Sequence, residues 1–365
     1  MSEASEADRR FMMRALQLAE RGRGATRPNP IVGAVLVRAG RIVGEGWHRA
    51  AGESHAEVVA LGRAGARARG ATLYVTLEPC AHFGRTPPCV DAIVAAGVRR
   101  CVVAMRDPNR IVNGRGLRKL RAAGVKVDLG VCAAEARSAL AGYVLMHGAR
   151  RPRVTWKLAT TLDGRIADAR GRSRWITGPA ARLRVHRMRA QSDAIVIGAG
   201  TARADDPRLT VRSVRSRLQP LRVVCDTRLE LPLRLALFRA PLTRGTVVAC
   251  GVRASAVRRR ALEARGVTVW ALPERQGGVA PRALARRLAD EGCHDVLLEA
   301  GATLGTAWLK AGLVDQLALF IAPLLLGEGR AWLGPLGARG LAGARRVRLA
   351  RQERVGDDAL LIAEV

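Results

Sequence analysis

The chain has 365 residues, 48% hydrophobic and 25% charged, which excludes a disordered protein and exceeds what one ordinary core accommodates. Its formal net charge of +31 invites a nucleic-acid reading, yet only four basic residues are lysine, the arginines spread through both halves, and aromatics are 3%. Nucleic-acid binders concentrate charge on one face or tail with aromatics interleaved, so this charge reads as compositional, with some arginines left to hold an anionic substrate.

In chain order, MSEASEADRRFMMRALQLAERGRG reads as a polar tail and an amphipathic helix, with Phe11, Met12, Ala15, Leu16 and Ala19 on one side. It lacks a signal-like apolar region, and no apolar run spans a bilayer, so the expectation is a cytoplasmic protein without a membrane partner. IVGAVLV (31–37) and RIVGEGW (41–47) form a predicted hairpin, followed by a helix from about Ser54 and the strand ATLYVTL (71–77). After a cysteine-containing loop come a helix at 89–96, the strand CVVAM, a helix near 117–123, the strand VKVDL and a helix from 133. Pro152 in RRPRV marks the boundary between residues 1–149 and 150–365.

The second half opens with the strands VTWKLA and GRIAD and continues in βα order. Helices are predicted at 179–190, 254–265, 281–290 and 302–311, between the strands AIVIGAG, LRVVCD, TVVAC, VTVWAL, DVLLEAG and LALFIAP. A closing antiparallel hairpin completes a three-layer α/β domain with an antiparallel edge.

Seven cysteines are too few for a disulfide scaffold, and Cys101, Cys225 and Cys250 sit in apolar strand-like runs as packing residues. Cys80 and Cys89 differ, each following a proline. With His55-Ala56-Glu57 they match the order H-x-E…P-C…C, in which one imidazole and two thiolates hold zinc and the glutamate moves protons. The plain alternative is that Ser54-His55-Ala56-Glu57 is a capping box and the cysteines are packing residues. All the pieces in order, each at an element end, favour His55, Cys80 and Cys89 as zinc ligands and Glu57 as the catalytic acid/base.

The eight-residue spacing between the cysteines departs from the C-x₂-C of nucleoside deaminases. Together with NPIVGAV (29–35), TLEPCAHFGRTPPC (76–89) and AMRDPN (104–109), it resembles the deaminase half of the bifunctional riboflavin-biosynthesis deaminase–reductases. That resemblance implies a cytidine-deaminase-like three-layer domain over 1–149 acting on a pyrimidine ribotide. Asn29, His48, His82, Arg85, Asp107 and Asn109 would contact the pyrimidine or its ribose phosphate. Arg110 stands where the family usually has proline.

In the second half, Gly198-Ala199-Gly200 lacks the third glycine of a dinucleotide fingerprint, and LLEAGATLG (297–305) is a strand–helix turn suited to phosphate or simply eased by glycine. TWKLATTLDGRIAD, SRWITG, IVIGAGTARADDPRLTVR and LLEAGATLGTAWLKAGLVDQL resemble the reductase half of the same family. The implied domain, 150–365, is dihydrofolate-reductase-like and uses NADPH. Carried over by position, Ala159, Trp175, Thr201, Asp205, Thr227, Gly301, Ala302, Thr303, Leu304, Gly305, Thr306 and Ala307 would hold the cofactor. Ser173, Arg189, Leu209, Arg212 and Glu299 would hold substrate, with Lys157 and Asp163 near the reacting sugar, and the family implies a homo-oligomer. Thr160-Thr161 and Gly178 depart from the usual residues of these motifs. The rival reading, an RNA-base deaminase with a basic RNA-docking second domain, has the net charge in its favour and the long cysteine loop and reductase-like motifs against it.

Overall fold

The computed structural model describes residues 5–84 and 86–365; Arg85, an expected substrate contact, lies outside the described residues. The chain divides into two compact units, one ending at Ala149 and the other running Arg150–Val365. No helix among the described residues is long and apolar enough to cross a membrane.

The first unit holds α1 (Glu6–Glu20), β1 (Gly33–Arg38), β2 (Arg41–Trp47), α2 (Ala56–Ala64), β3 (Thr72–Val75), α3 (Cys89–Ala95), β4 (Arg100–Val103), α4 (Arg115–Ala122), β5 (Lys126–Leu129), α5 (Ala133–Ala139) and α6 (Ala141–Ala149). The sheet order is β2-β1-β3-β4-β5, with β1 antiparallel to β2 and β3, and β3, β4 and β5 parallel. Nearly continuous apolar runs such as β3 and β4 suit strands buried on both faces. One face packs Phe11, Met12 and Leu16 of α1 with Ala136 and Tyr143 of α5 and α6; the other packs Ala60 of α2, Ile93 of α3 and Leu120 of α4. The result is three layers.

The second unit contains β6 (Arg153–Thr161), β7 (Arg165–Ala167), α7 (Pro179–Ala190), β8 (Ala194–Gly198), α8 (Ala199–Asp205), β9 (Leu221–Cys225), β10 (Thr246–Gly251), α9 (Ala256–Glu263) and β11 (Thr268–Leu272). The short β12 (Glu274–Arg275) and β13 (Gly278–Val279) follow, then α10 (Pro281–Asp290), β14 (Asp295–Leu298), α11 (Ala302–Lys310), β15 (Gln316–Ala322), β16 (Arg330–Ala331), β17 (Arg348–Val355) and β18 (Asp358–Glu364). Nine strands form one sheet, β11-β10-β9-β8-β14-β6-β15-β18-β17, parallel through β15 and antiparallel at the last two. Because β14 returns between β8 and β6, the carboxyl ends of these three strands converge at a switch in strand order, where ligands of open α/β sheets bind. Trp156 and Trp308 are fully buried between α11 and the sheet, each contributing about 2–3 kcal/mol by burial.

Three local expectations differ. Residues 199–200, read as the end of the strand AIVIGAG, instead open α8, which begins as soon as β8 ends at Gly198. The capping box does not form: His55, not Ser54, is the N-cap of α2 and makes no side-chain cap bond. Cys101 and Cys250 are buried as expected, but Cys225 is partly exposed where β9 reaches the ligand edge.

Candidate active sites in the two units

A candidate metal cluster in the first unit is assembled from two helix starts and the end of a strand segment. His55 immediately precedes α2, Cys89 opens α3, and Cys80 follows β3 through the Glu78-Pro79 turn. His55 Nδ1 lies 3.1 Å from Cys89 Sγ and 3.6 Å from Cys80 Sγ, and all three ligand atoms fall within 4.8 Å. Tetrahedral zinc, with Zn–S of about 2.3 Å and Zn–N of about 2.0 Å, sets such atoms about 3.5–3.8 Å apart, so the donor set fits. The other ring nitrogen, Nε2, faces Thr86 Oγ1 at 3.4 Å, a contact that holds the ring with Nδ1 toward the sulfurs.

The electrostatics match a site that wants a cation. A hydrogen bond from Cys89 and the His55 imidazole bring the Cys80 thiol down to about 4, while that same bond and burial push Cys89 up. Glu57, 3% exposed, is raised to about 7 by burial and by the charge of Cys80.

A cavity of ≈ 260 Å³ opens beside these atoms, lined by Asn29, His48, His82, Asp107 and Asn109 as well as His55, Glu57 and Cys80. Every described residue expected at this site lines that cavity except Cys89, which is fully buried behind it. His48 Nδ1 donates to the Ser54 carbonyl at 3.3 Å, so Nε2 accepts from Asn29 Nδ2 at 3.1 Å and the ring is neutral, as its burial also favours. His82 Nδ1 is buried without a hydrogen-bond partner. Burial lifts Asp107 to about 6 although it accepts from Asn109 N at 2.8 Å and from the Tyr143 hydroxyl at 3.0 Å. Thr86, Glu78 and Tyr143 were given no role from sequence. Nothing local marks them, because each acts on a partner brought close only by folding.

The second site lies along the carboxyl edge of the nine-stranded sheet. Glu299 follows β14, and its amide donates to Val196 O at 2.9 Å, extending the β14–β8 pairing by one residue. Its carboxylate takes a bidentate pair from Arg189 of α7, at 2.6 and 2.9 Å. Burial pushes this carboxyl up, but the Arg189 charge and hydrogen bonds outweigh it and bring it to about 2. Lys157 of β6 feels Glu299, Arg189 and Asp205 together, and burial holds its ammonium below the usual lysine range. Ser173 Oγ donates to Asp205 Oδ1 at 3.4 Å at the end of α8, so five of the expected residues form one cluster.

Of the others, Arg212 borders that cluster, close enough to feel the Arg189 charge. Arg212 is exposed, its Nη1 donating weakly to Thr210 Oγ1 at 3.4 Å, while Leu209 is buried with φ +51° and turns the chain there. Asp163 is committed to the chain itself, accepting from Thr161 Oγ1, Leu326 N and Gly327 N. Trp175 is 68% exposed, with the Arg182 guanidinium 4.7 Å above its ring. Ala159 lies in β6 and Thr201 in the first turn of α8, both half-buried. Thr227, after β9, borders a separate ≈ 400 Å³ cavity with Arg228, Arg253, Ser255 and Glu274.

The 301–307 turn opens α11, whose N-cap Gly301 leaves first-turn amides free to meet an anion. Gly305 and Thr306 face inward, so only 301–304 and Ala307 remain partly open. A Cβ on Gly305 would stand 1.9 Å from the Trp156 ring, whose Nε1 donates to Ala300 O at 3.0 Å; only glycine lets the turn settle on that indole. Amides at a helix start beside the ends of parallel strands suit a dinucleotide phosphate, so the residues fit a nicotinamide cofactor.

Comparison with known proteins assigns both units. Residues 5–105 match the cytidine and deoxycytidylate deaminase zinc-binding region, and residues 152–361 match the RibD C-terminal domain. The chain is 42% identical over 356 residues to the riboflavin biosynthesis protein RibD of Aquifex aeolicus (98% of each chain). It is 43% identical over 362 residues to that of Escherichia coli K12 (97% of this chain, 98% of the other). Among solved structures, Acinetobacter baumannii RibD superposes with a TM-score of 0.90 at 40% identity, covering 98% of this chain and 99% of that one. A Thermotoga maritima diaminohydroxyphosphoribosylaminopyrimidine deaminase/5-amino-6-(5-phosphoribosylamino)uracil reductase gives 0.86 at 33% identity, with 98% of each chain covered. A zinc-type deaminase unit joined to a reductase unit, matched from end to end, places this chain in the RibD family of bifunctional deaminase–reductases of riboflavin biosynthesis.

Proposed function

We propose that the first unit removes the 2-amino group of 2,5-diamino-6-(ribosylamino)-4(3H)-pyrimidinone 5′-phosphate as ammonia, and that the second reduces the ribosyl group to ribityl with NADPH. The carrying observation is the convergence of His55 Nδ1, Cys80 Sγ and Cys89 Sγ on one point beside a buried carboxylate and a polar cavity.

In this reading those three atoms hold zinc. When bound, zinc supplies Lewis acidity that makes water a competent nucleophile near neutral pH. Glu57 takes a proton from the attacking water and passes it to the departing ammonia, its burial favouring the protonated form midway through that transfer. Asn29, its amide nitrogen turned to His48, keeps its carbonyl oxygen for a ring N–H. His82 offers its unpartnered Nδ1 to the ribotide, and Asp107 and Asn109 take the sugar hydroxyls.

In the second unit the amides of 302–304, with Thr201, Thr227 and Asp205, hold the dinucleotide, whose nicotinamide supplies the hydride accepted at C1′. Arg189 is already forked onto Glu299, so the pair forms a rigid wall and the exposed Arg212 is the free fork for the substrate phosphate. Lys157 stands beside that wall, near the sugar.

The test is one incubation of zinc-loaded protein with the diamino ribotide, following ammonia and NADPH absorbance together. Ammonia release without NADPH, and NADPH loss only after deamination, is the expected result. No ammonia from protein carrying one zinc would overturn the deaminase assignment, and ammonia without NADPH loss would overturn the reductase one.

A further inference from the structure

Helix α4 begins without a cap of its own. Its N-cap is Gly114, at φ +82°, which brings no side chain to the free amides, and its first turn contains no acidic residue. Orphan amides at a helix start need acceptors, and a buried start with no acceptor is costly. Glu78, 36 residues earlier than Gly114, supplies them. Its Oε2 accepts from Gly114 N at 2.8 Å and Asp107 N at 3.3 Å, and its Oε1 accepts from Gly116 N at 3.0 Å and Leu117 N at 3.3 Å. The side chain is 4% exposed, so water cannot stand in for it.

Glu78 therefore ties both ends of the 107–114 segment to one carboxylate. That segment carries Asp107 and Asn109, which line the deaminase cavity. The other end of the tie is the metal cluster: Glu78 precedes Pro79-Cys80, its own amide donates to Met105 O at 3.1 Å, and a Cβ on Gly116 would stand 2.0 Å from Pro79 O. The start of α4, the substrate-facing loop and a cluster cysteine are thereby held in one register.

We infer that Glu78 is a positioning residue of the deaminase, setting the Asp107–Asn109 wall at its working distance from Cys80. This rests on the reading of the cavity as the deaminase site. The carboxylate is specific to the task because all four partners are donors. An amide of the same shape would turn an –NH₂ against two of them.

The loop also offers a rescue. Asn109 O accepts from Val112 N at 2.9 Å, which makes residues 109–112 a β-turn with Arg110 at its second position, where proline is favoured. Arg110→Pro stiffens the loop without touching Glu78, the cysteines or the cavity wall.

The experiment compares wild type, Glu78→Gln and Glu78→Gln/Arg110→Pro for zinc per chain, deaminase kcat and KM, reductase activity and amide exchange. In Glu78→Gln the deaminase KM rises about tenfold or more while one zinc per chain and reductase activity are kept. Exchange at Gly114, Gly116 and Leu117 accelerates by about tenfold or more. Adding Arg110→Pro recovers part of the KM. An unchanged KM, unchanged exchange at those amides, or zinc loss that Arg110→Pro does not reverse each overturns the inference. Amide exchange needs no substrate, so a failed deaminase assignment is separable from a failed role for Glu78.

Discussion

The two units bring charged groups together in opposite ways. In the first, a histidine and two cysteines face one another with a buried carboxylate beside them, an arrangement whose converging donor atoms suit a cation. In the second, the Arg189 cation and the Glu299 anion already neutralise each other along the sheet edge, and the unspent groups, Arg212 and the α11 amides, lie around them. The first is a set of donors that could hold a metal, the second a wall with open donors at its rim. Substitutions should therefore fail differently: chemistry without stability in the first, stability as much as binding in the second.

Glu57→Gln gives the largest effect and is the sharpest test of that contrast. Ammonia release falls by ~10³-fold while zinc per chain, measured by metal analysis, and reductase turnover stay at wild type. A matching loss of zinc would move Glu57 into the ligand set.

Glu299→Gln comes next. Removing one partner of a buried, bidentate pair leaves Arg189 uncompensated, which costs about 3 kcal/mol and should appear as a lower urea midpoint of the second unit. The pH dependence follows from the same pair. Glu299 is held at about 2 in the folded state against 4.5 unpaired, so its stabilisation is complete above the unfolded value and is lost as pH falls from about 4.5 through about 2. Asp8, held at about 2 against 3.8 unpaired mainly by its hydrogen bonds from Arg100, places a narrower window, from about 3.8 through about 2, on the first unit. Urea titrations at pH 7 and pH 3 should show both units weakened by acid, with the Glu299 share absent in Glu299→Gln. Equal acid sensitivity with and without Glu299 would break the contrast.

Arg212→Ala is smaller and lies on the other side of the comparison. Being exposed, it should leave stability within about 0.5 kcal/mol while raising the reductase KM for the ribotide about tenfold. An unchanged KM would return the phosphate to Arg189. Smallest is Thr86→Val, which frees the far side of the His55 ring and should weaken zinc about tenfold in a chelator competition, with Thr86→Ser restoring it.

How much of this was legible depended on how far apart in sequence the partners stand. The elements with strong periodicity or apolar runs, such as β4 and α10, lie where the residues place them, because local burial decides them. The grouping of His55, Cys80 and Cys89 was legible because each sits at an element end beside a recognisable neighbour, His before Ala-Glu and Cys after Pro. Ser54 was open to a capping role, but its carbonyl is used by His48 and the helix starts one residue later. Glu78 was quoted within a motif and given no role, since its four donors come from 29 to 39 residues downstream. The closure of Arg189 onto Glu299, 110 residues apart, was hidden in the same way. A sequence shows which groups are available; only the fold shows which of them are already taken.

The contact of Gly305 with the Trp156 indole has a consequence for what can bind above it. A ring held by a buried hydrogen bond and packed at full density cannot yield by the ångström that a methyl group would require. The first turn of α11 thus has a single height above the sheet. Any ligand laid across its amides must conform to that height, so adaptation to different dinucleotides falls to the exposed side chains at the rim and not to the backbone.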